Sequence, residues 1–116
     1  MEESLDRVRQ MLIAMLENNE YLFTDTALRD GMRLARTLGD ASRGFPSQCG
    51  LVDYIVEKLR LPFRLNEVPM GEPPGSGGIA YSMTNANGQG LYIKLKVEDD
   101  QVVILSFHVS KHSRGD

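Results

Sequence analysis

Apolar residues divide the chain into helical stripes followed by alternating strands. Leu5, Val8, Leu12, Met15 and Leu16 recur at helical spacing, with Ser4 as a possible N-cap and Asn18-Asn19 as a stop. A second helix is expected from Thr24 or Asp25, with Leu28, Met32, Ala35 and Leu38 as its stripe and Gly39 as its C-terminal stop. Gly31 lies inside it, at a cost of about 1 kcal/mol relative to alanine. GDASRGFPS reads as a loop. Ser47 can cap a third helix running to about Leu59, with Leu51, Val52, Ile55 and Leu59 turned inward. Leu61-Pro62 ends it, because a residue before proline resists helical geometry.

Beyond Pro62 the period changes from helical to two. Phe63 to Val68 and Ile79 to Met83 read as short strands, joined by VPMGEPPGSGG. That Gly/Pro segment reads as a surface loop, with a mobile flap as its functional alternative. TNANGQG is a turn. The last strands form a hairpin, in which Leu91, Ile93, Leu95 and Val97 alternate with Tyr92, Lys94 and Lys96. On the return strand Val103, Leu105, Phe107 and Val109 alternate with Val102, Ile104, Ser106 and His108. Side chains on a strand alternate between faces, so burial selects the register that unites the apolar sets. That register pairs Val97 with Val103, Leu95 with Leu105, Ile93 with Phe107 and Leu91 with Val109. Its loop spans about Glu98 to Gln101, and it sets Tyr92 opposite His108 and Lys94 opposite Ser106. The expected fold is therefore α+β: one domain over residues 1–116, three N-terminal helices on one face of an antiparallel sheet of three or four strands.

Composition narrows the function without naming it. The 116 residues are 41% hydrophobic and 25% charged, which suits one globular domain. The net charge of −3 argues against a broadly basic nucleic-acid binder and requires any cationic site to be local. Cys49 is the only cysteine, so neither an internal disulfide nor a multi-cysteine zinc site can form. It is expected as a small buried hydrophobe in a reducing, cytoplasmic setting. The opening MEESLDRV is unlike a signal peptide, and no apolar run reaches the roughly 18–20 residues of a membrane span. The glycines of GEPPGSGG lack the sequence context of a phosphate-binding loop. The tail carrying Lys111, His112 and Arg114 is assigned no role.

The polar hairpin face carries the candidate chemistry. Histidine exchanges protons near neutral pH, tyrosine can hydrogen-bond a phosphate oxygen or position a hydroxyl, and lysine neutralises developing negative charge. Together they could cleave an RNA phosphodiester through attack by the adjacent 2′-hydroxyl, with no metal or other cofactor. The same alternation is also what an ordinary solvated sheet face displays.

Tyr92-Ile93-Lys94-Leu95-Lys96-Val97, a short turn, and Val102-Val103-Ile104-Leu105-Ser106-Phe107-His108 resemble the C-terminal hairpin of the motility quorum-sensing regulator toxins, a family of bacterial mRNA interferases. More loosely, TDTALRDG resembles the start of that family's second helix, and CGLVDYIVEKLRLPFR its third helix, which runs into an aromatic-basic pair. The resemblance implies a RelE-like fold, with helices on one sheet face and RNA cut on the other. It implies catalytic roles for Tyr92 and His108, where His108 replaces a family lysine. It also assigns Arg64 to an upstream lysine position and places a family glutamine near Tyr81. On this reading His108 is a general acid or base and Tyr92 orients phosphate or hydroxyl. Arg64, Lys94, Lys96 and Tyr81 support the RNA. The implied partners are an RNA substrate and a cognate antitoxin covering the sheet or an edge strand. The acidic balance and the Gly/Pro loop depart from the family pattern. They leave a second reading, an acidic, non-enzymatic immunity or antitoxin-like inhibitor that masks a basic protein.

Overall fold

The computed structural model describes residues 2–38, 47–60, 65–73, 75–84 and 91–109. Helix α1 spans Glu2–Glu17, strand β1 Tyr21–Phe23, α2 Asp25–Leu38 and α3 Gln48–Arg60. Four strands follow: β2 Leu65–Pro69, β3 Ile79–Met83, β4 Leu91–Glu98 and β5 Gln101–Val109. The sheet order is β1-β5-β4-β3-β2, with β1 parallel to β5 and the remaining pairs antiparallel. The fold is α+β as expected, but the sheet has five strands. The added strand, Tyr-Leu-Phe, is too short to show a period of two.

The N-terminal signals divide in the structure. Ser4 lies inside α1 and does not cap it, because the helix already begins at Glu2. The α1 end behaves as expected: Asn18 N–H donates to the Ala14 and Met15 carbonyls, and Asn19 adopts a φ of 61°. Such a φ is tolerated better by asparagine than by most residues. Ser47 caps α3, its hydroxyl accepting from Gly50 N–H at 2.9 Å. Thr24 caps α2, accepting from Ala27 N–H at 3.1 Å. The stop expected at Gly39 falls outside the described residues.

One core joins all three helices to one face of the sheet. Leu12, Ile13 and Leu16 of α1, Ala27 of α2 and Leu51, Ile55 and Leu59 of α3 are buried there with sheet residues such as Ile93, Ile104 and Phe107. In α2 the deepest line is Ala27–Gly31; of the expected stripe, Leu28 and Met32 sit at its margin, and the side chains of Ala35 and Leu38 lie outside those described. Small residues explain this. A Cβ on Gly31 would lie 3.0 Å from Leu51 Cδ1 and 3.4 Å from Phe107 Cγ. The glycine costs helix propensity but lets α2 approach α3 and β5 closely. Cys49, expected inside, is exposed in the first turn of α3, while Gly50, Leu51 and Val52 take the buried positions.

The β2–β3 connection is a closed loop. Met70 N–H donates to the Gly78 carbonyl, and the Met70 carbonyl accepts from Gly75 and Gly77 N–H at 2.9 and 2.8 Å. A Cβ on Gly71, whose φ is 90°, would meet Ser76 Oγ at 2.6 Å and Gly77 N at 2.7 Å. These bonds support the surface-loop reading over the flap. No helix among the described residues is long and apolar enough to cross a membrane.

Replacing Gly31 with valine should destabilise the fold by about 2 kcal/mol through overpacking against Leu51 and Phe107. Urea denaturation of the wild type and the variant measures the difference.

Candidate functional site

The hairpin register is set from its turn. Asp99 and Asp100 have φ values of 52° and 61°, and Glu98 pairs with Gln101. This is the positive-φ, two-residue turn that matches strand twist. It forces Val97 opposite Val102 and Leu95 opposite Ile104. The expected partners, Val103 and Leu105, are displaced by one residue. Farther from the turn the expected pairs all occur: Lys94 with Ser106, Ile93 with Phe107, Tyr92 with His108 and Leu91 with Val109.

A β-bulge reconciles the two halves. Leu105 is the extra residue between Ile104 and Ser106. In a regular strand, residues three apart face opposite sides, yet Ile104 and Phe107 are 0% and 1% exposed in the same core. Burying each side chain contributes roughly 1.5–3 kcal/mol, against about 1 kcal/mol for one disrupted ladder hydrogen bond. The bulge therefore wins. Its second effect is to turn His108 onto the face away from the helices. Thr24 holds this region to α2: its N–H donates to the Ile104 carbonyl at 3.1 Å, and its hydroxyl lies 3.5 Å from the Leu105 carbonyl.

The open face follows from the register, because directly paired residues share a face. Tyr92 and His108 stand opposite each other with ring centroids 5.5 Å apart and planes inclined at 36°. Both are half-buried. The next row toward the hairpin turn is Asn66–Ser82–Lys94–Ser106, and the one after is Val68–Ala80–Lys96–Val103. Leu22 extends the last row onto β1 and is exposed. Among the described residues, no helix covers this face.

The candidate residues therefore separate. Tyr92, His108, Lys94 and Lys96 share the open face. Tyr81 does not: it pairs with Leu95 and packs against the helix-side core, so β3 offers this face Ser82 and Ala80 instead. Arg64 lies outside the described residues. The lysines also differ. Lys96 Nζ is 3.0 Å from Glu98 Oε2, and its side chain is only 19% exposed. A Cβ on Gly78 would lie 3.5 Å from Lys96 Cε, so the lysine stem runs beside the start of β3. Lys94 makes no ion pair with a described carboxylate. Asn66, Ser82 and Ser106 join the face beyond the candidates that the sequence singles out. Ser106 already stood at an outward position, but Asn66 and Ser82 required the pairing of β2 and β3.

A cleft of about 690 Å³ lies on the helix side, lined by residues including Leu16, Tyr21, Cys49, Val52, Asp53 and Arg60. It shares no residue with the open face. Arg60 and Glu17 form an ion pair at its wall. Burial raises the Tyr21 phenol above its ordinary range, and Cys49, which hydrogen-bonds to it, and Asp53 raise it further. Among the described residues, no group of three His, Cys, Asp or Glu side chains could hold a metal ion. Comparison with family models, curated proteins and solved structures finds no match.

Deleting Leu105 should keep the fold and both faces of β5, because Ile104, Ser106, Phe107 and His108 then alternate regularly in the observed register with no bulge. Leu105→Ala keeps the bulge; thermal denaturation should show both variants unfolding cooperatively within about 1–2 kcal/mol of the wild type. A double-mutant cycle on Tyr92→Ala and His108→Ala should return a coupling of about 0.5–1.5 kcal/mol, the range for stacked ring pairs.

Proposed function

We propose that the open face is the working surface of a metal-independent endoribonuclease, an mRNA interferase-type toxin with a RelE-like arrangement of helices behind the sheet. The observation that carries this reading is the Tyr92–His108 stack, with Lys94 one row away on the same face. It brings a proton-transfer group, a hydroxyl and a cation onto one surface. The hairpin resemblance supports the same two central residues.

The reaction needs little else. A ribose 2′-oxygen attacks the neighbouring phosphorus, the P–O5′ bond breaks, and a 2′,3′-cyclic phosphate and a 5′-hydroxyl result. One proton leaves the 2′-hydroxyl and another reaches the departing 5′-oxygen. His108 carries one of these transfers. Tyr92 Oη hydrogen-bonds a phosphate oxygen or the attacking hydroxyl, and Lys94, one row away, adds a positive field that favours the charge developing on the phosphorane. Arg64 is a further candidate for that electrostatic role, on the hairpin resemblance alone. A cytoplasmic enzyme that cuts mRNA would need a cognate antitoxin as its neutralising partner.

The net charge of −3 favours a second reading, an acidic inhibitor or immunity protein without catalysis. One assay separates the two. Purified protein is incubated with single-stranded RNA in EDTA, and the products are examined for 2′,3′-cyclic phosphate ends. The wild type should cleave, a 2′-O-methyl RNA should resist, and His108→Ala should be slower by about 10²–10⁴-fold. No cleavage by the wild type, or equal cleavage by His108→Ala, would sink the assignment. In bacteria, expression of the wild type should arrest growth and that of His108→Ala should not.

A further inference from the structure

A polar row lies beside the Tyr92–His108 pair. Asn66, Ser82, Lys94 and Ser106 come from four different strands and meet only through the register. Asn66, Lys94 and Ser106 are half-buried. At its middle stand Ser82 and Ala80, the small β3 residues pointing this way, 4% and 0% exposed. Larger side chains flank them in the paired rows, Asn66 and Val68 from β2 and Lys94 and Lys96 from β4. Hydrogen-bonding groups thus stand on both sides of a line of small residues.

The cations beside that line are unequal. Lys96 is paired with Glu98, mostly covered, and lies beside Gly78. Its stem packs while its charge is locally neutralised. Lys94 has no carboxylate partner among the described residues and stands between Ser82 and Ser106. Its Cα lies one strand repeat, about 6.8 Å, from that of Tyr92. A single RNA strand crossing the stack would bring its neighbouring phosphate to this row.

We infer that Asn66, Ser82, Lys94 and Ser106 form a subsite for the phosphate and ribose next to the scissile bond, with Lys94 as its one phosphate-binding cation and Lys96 a packing residue. This rests on the ribonuclease reading and extends it to the residues that grip the strand. Asn66 and Ser106 supply donors and acceptors for a ribose hydroxyl or a phosphate oxygen. Ser82 is the small residue between Asn66 and Lys94 in that row.

The test is the salt dependence of binding. A fluorescent 2′-O-methyl oligouridylate, which cannot be cleaved by 2′-attack, is titrated by anisotropy at several salt concentrations. For a single strand the slope of log K against log salt falls by about 0.7 per lost phosphate contact. Lys94→Gln should reduce it by that amount, and Lys94→Arg should restore it. Lys96→Gln should leave it at the wild-type value, as should Arg29→Gln, which removes an exposed charge on α2. Equal loss from Lys94→Gln and Lys96→Gln, or no loss from Lys94→Gln, would overturn the subsite while leaving RNA binding intact. A wild type that binds no RNA would overturn the ribonuclease reading and the subsite together.

Discussion

The extra residue in β5 is the constraint from which the open face follows. The hairpin has two demands that no regular strand can meet together. Its turn fixes one register, burying Val102 and Ile104 against the helices. Its far end must bury Phe107, which packs on Tyr54 of α3 with ring centroids 6.0 Å apart. Only an inserted residue satisfies both. His108 faces outward because Phe107 faces inward. A bulge that re-aims a side chain is a recurrent device beside functional sites. Here its cause lies in the core, and the outward histidine is the result.

Much of this was legible in the chain, and the failures have physical causes. Alternation in Leu91–Val97 gave the open side of β4 directly. On β5 the run Val102-Val103-Ile104-Leu105 is apolar at every position, so periodicity cannot say which residues face inward. The turn decides instead, through two consecutive aspartates that tolerate positive φ. Tyr92 and His108 were paired correctly because they lie beyond the bulge, where the two registers agree. The face of Tyr81 is not legible for a different reason: it depends on pairing with β4, across a connection whose length does not fix register. Ser47 announced its helix, whereas Ser4 is a potential cap whose helix begins earlier.

The helix layer shows a similar balance between local preference and packing. Gly31 opposes helix formation, yet its missing side chain lets Leu51 and Phe107 close on α2. Cys49 is apolar enough for the core, but the neighbouring residues of α3 occupy it first, and the thiol meets the Tyr21 hydroxyl at the cleft. The helices and the far half of β5 are thus fitted to each other closely. The polar rows on the other side of the sheet carry fewer packing demands and are free to hold chemistry.

The pairing of β1 with β5 bears on the order in which the molecule can be made. Strand β1 lies parallel to β5, and Thr24 reaches the Leu105 carbonyl across a separation of 81 residues. Such contacts close long loops and form late. While the chain is being synthesised, α1, β1 and α2 emerge with no strand to dock against. Their exposed apolar faces wait until β5, the last strand in chain order, has been translated. The open face, and any activity it carries, therefore comes into being only when β5 has been made and slides between β1 and β4, completing the sheet.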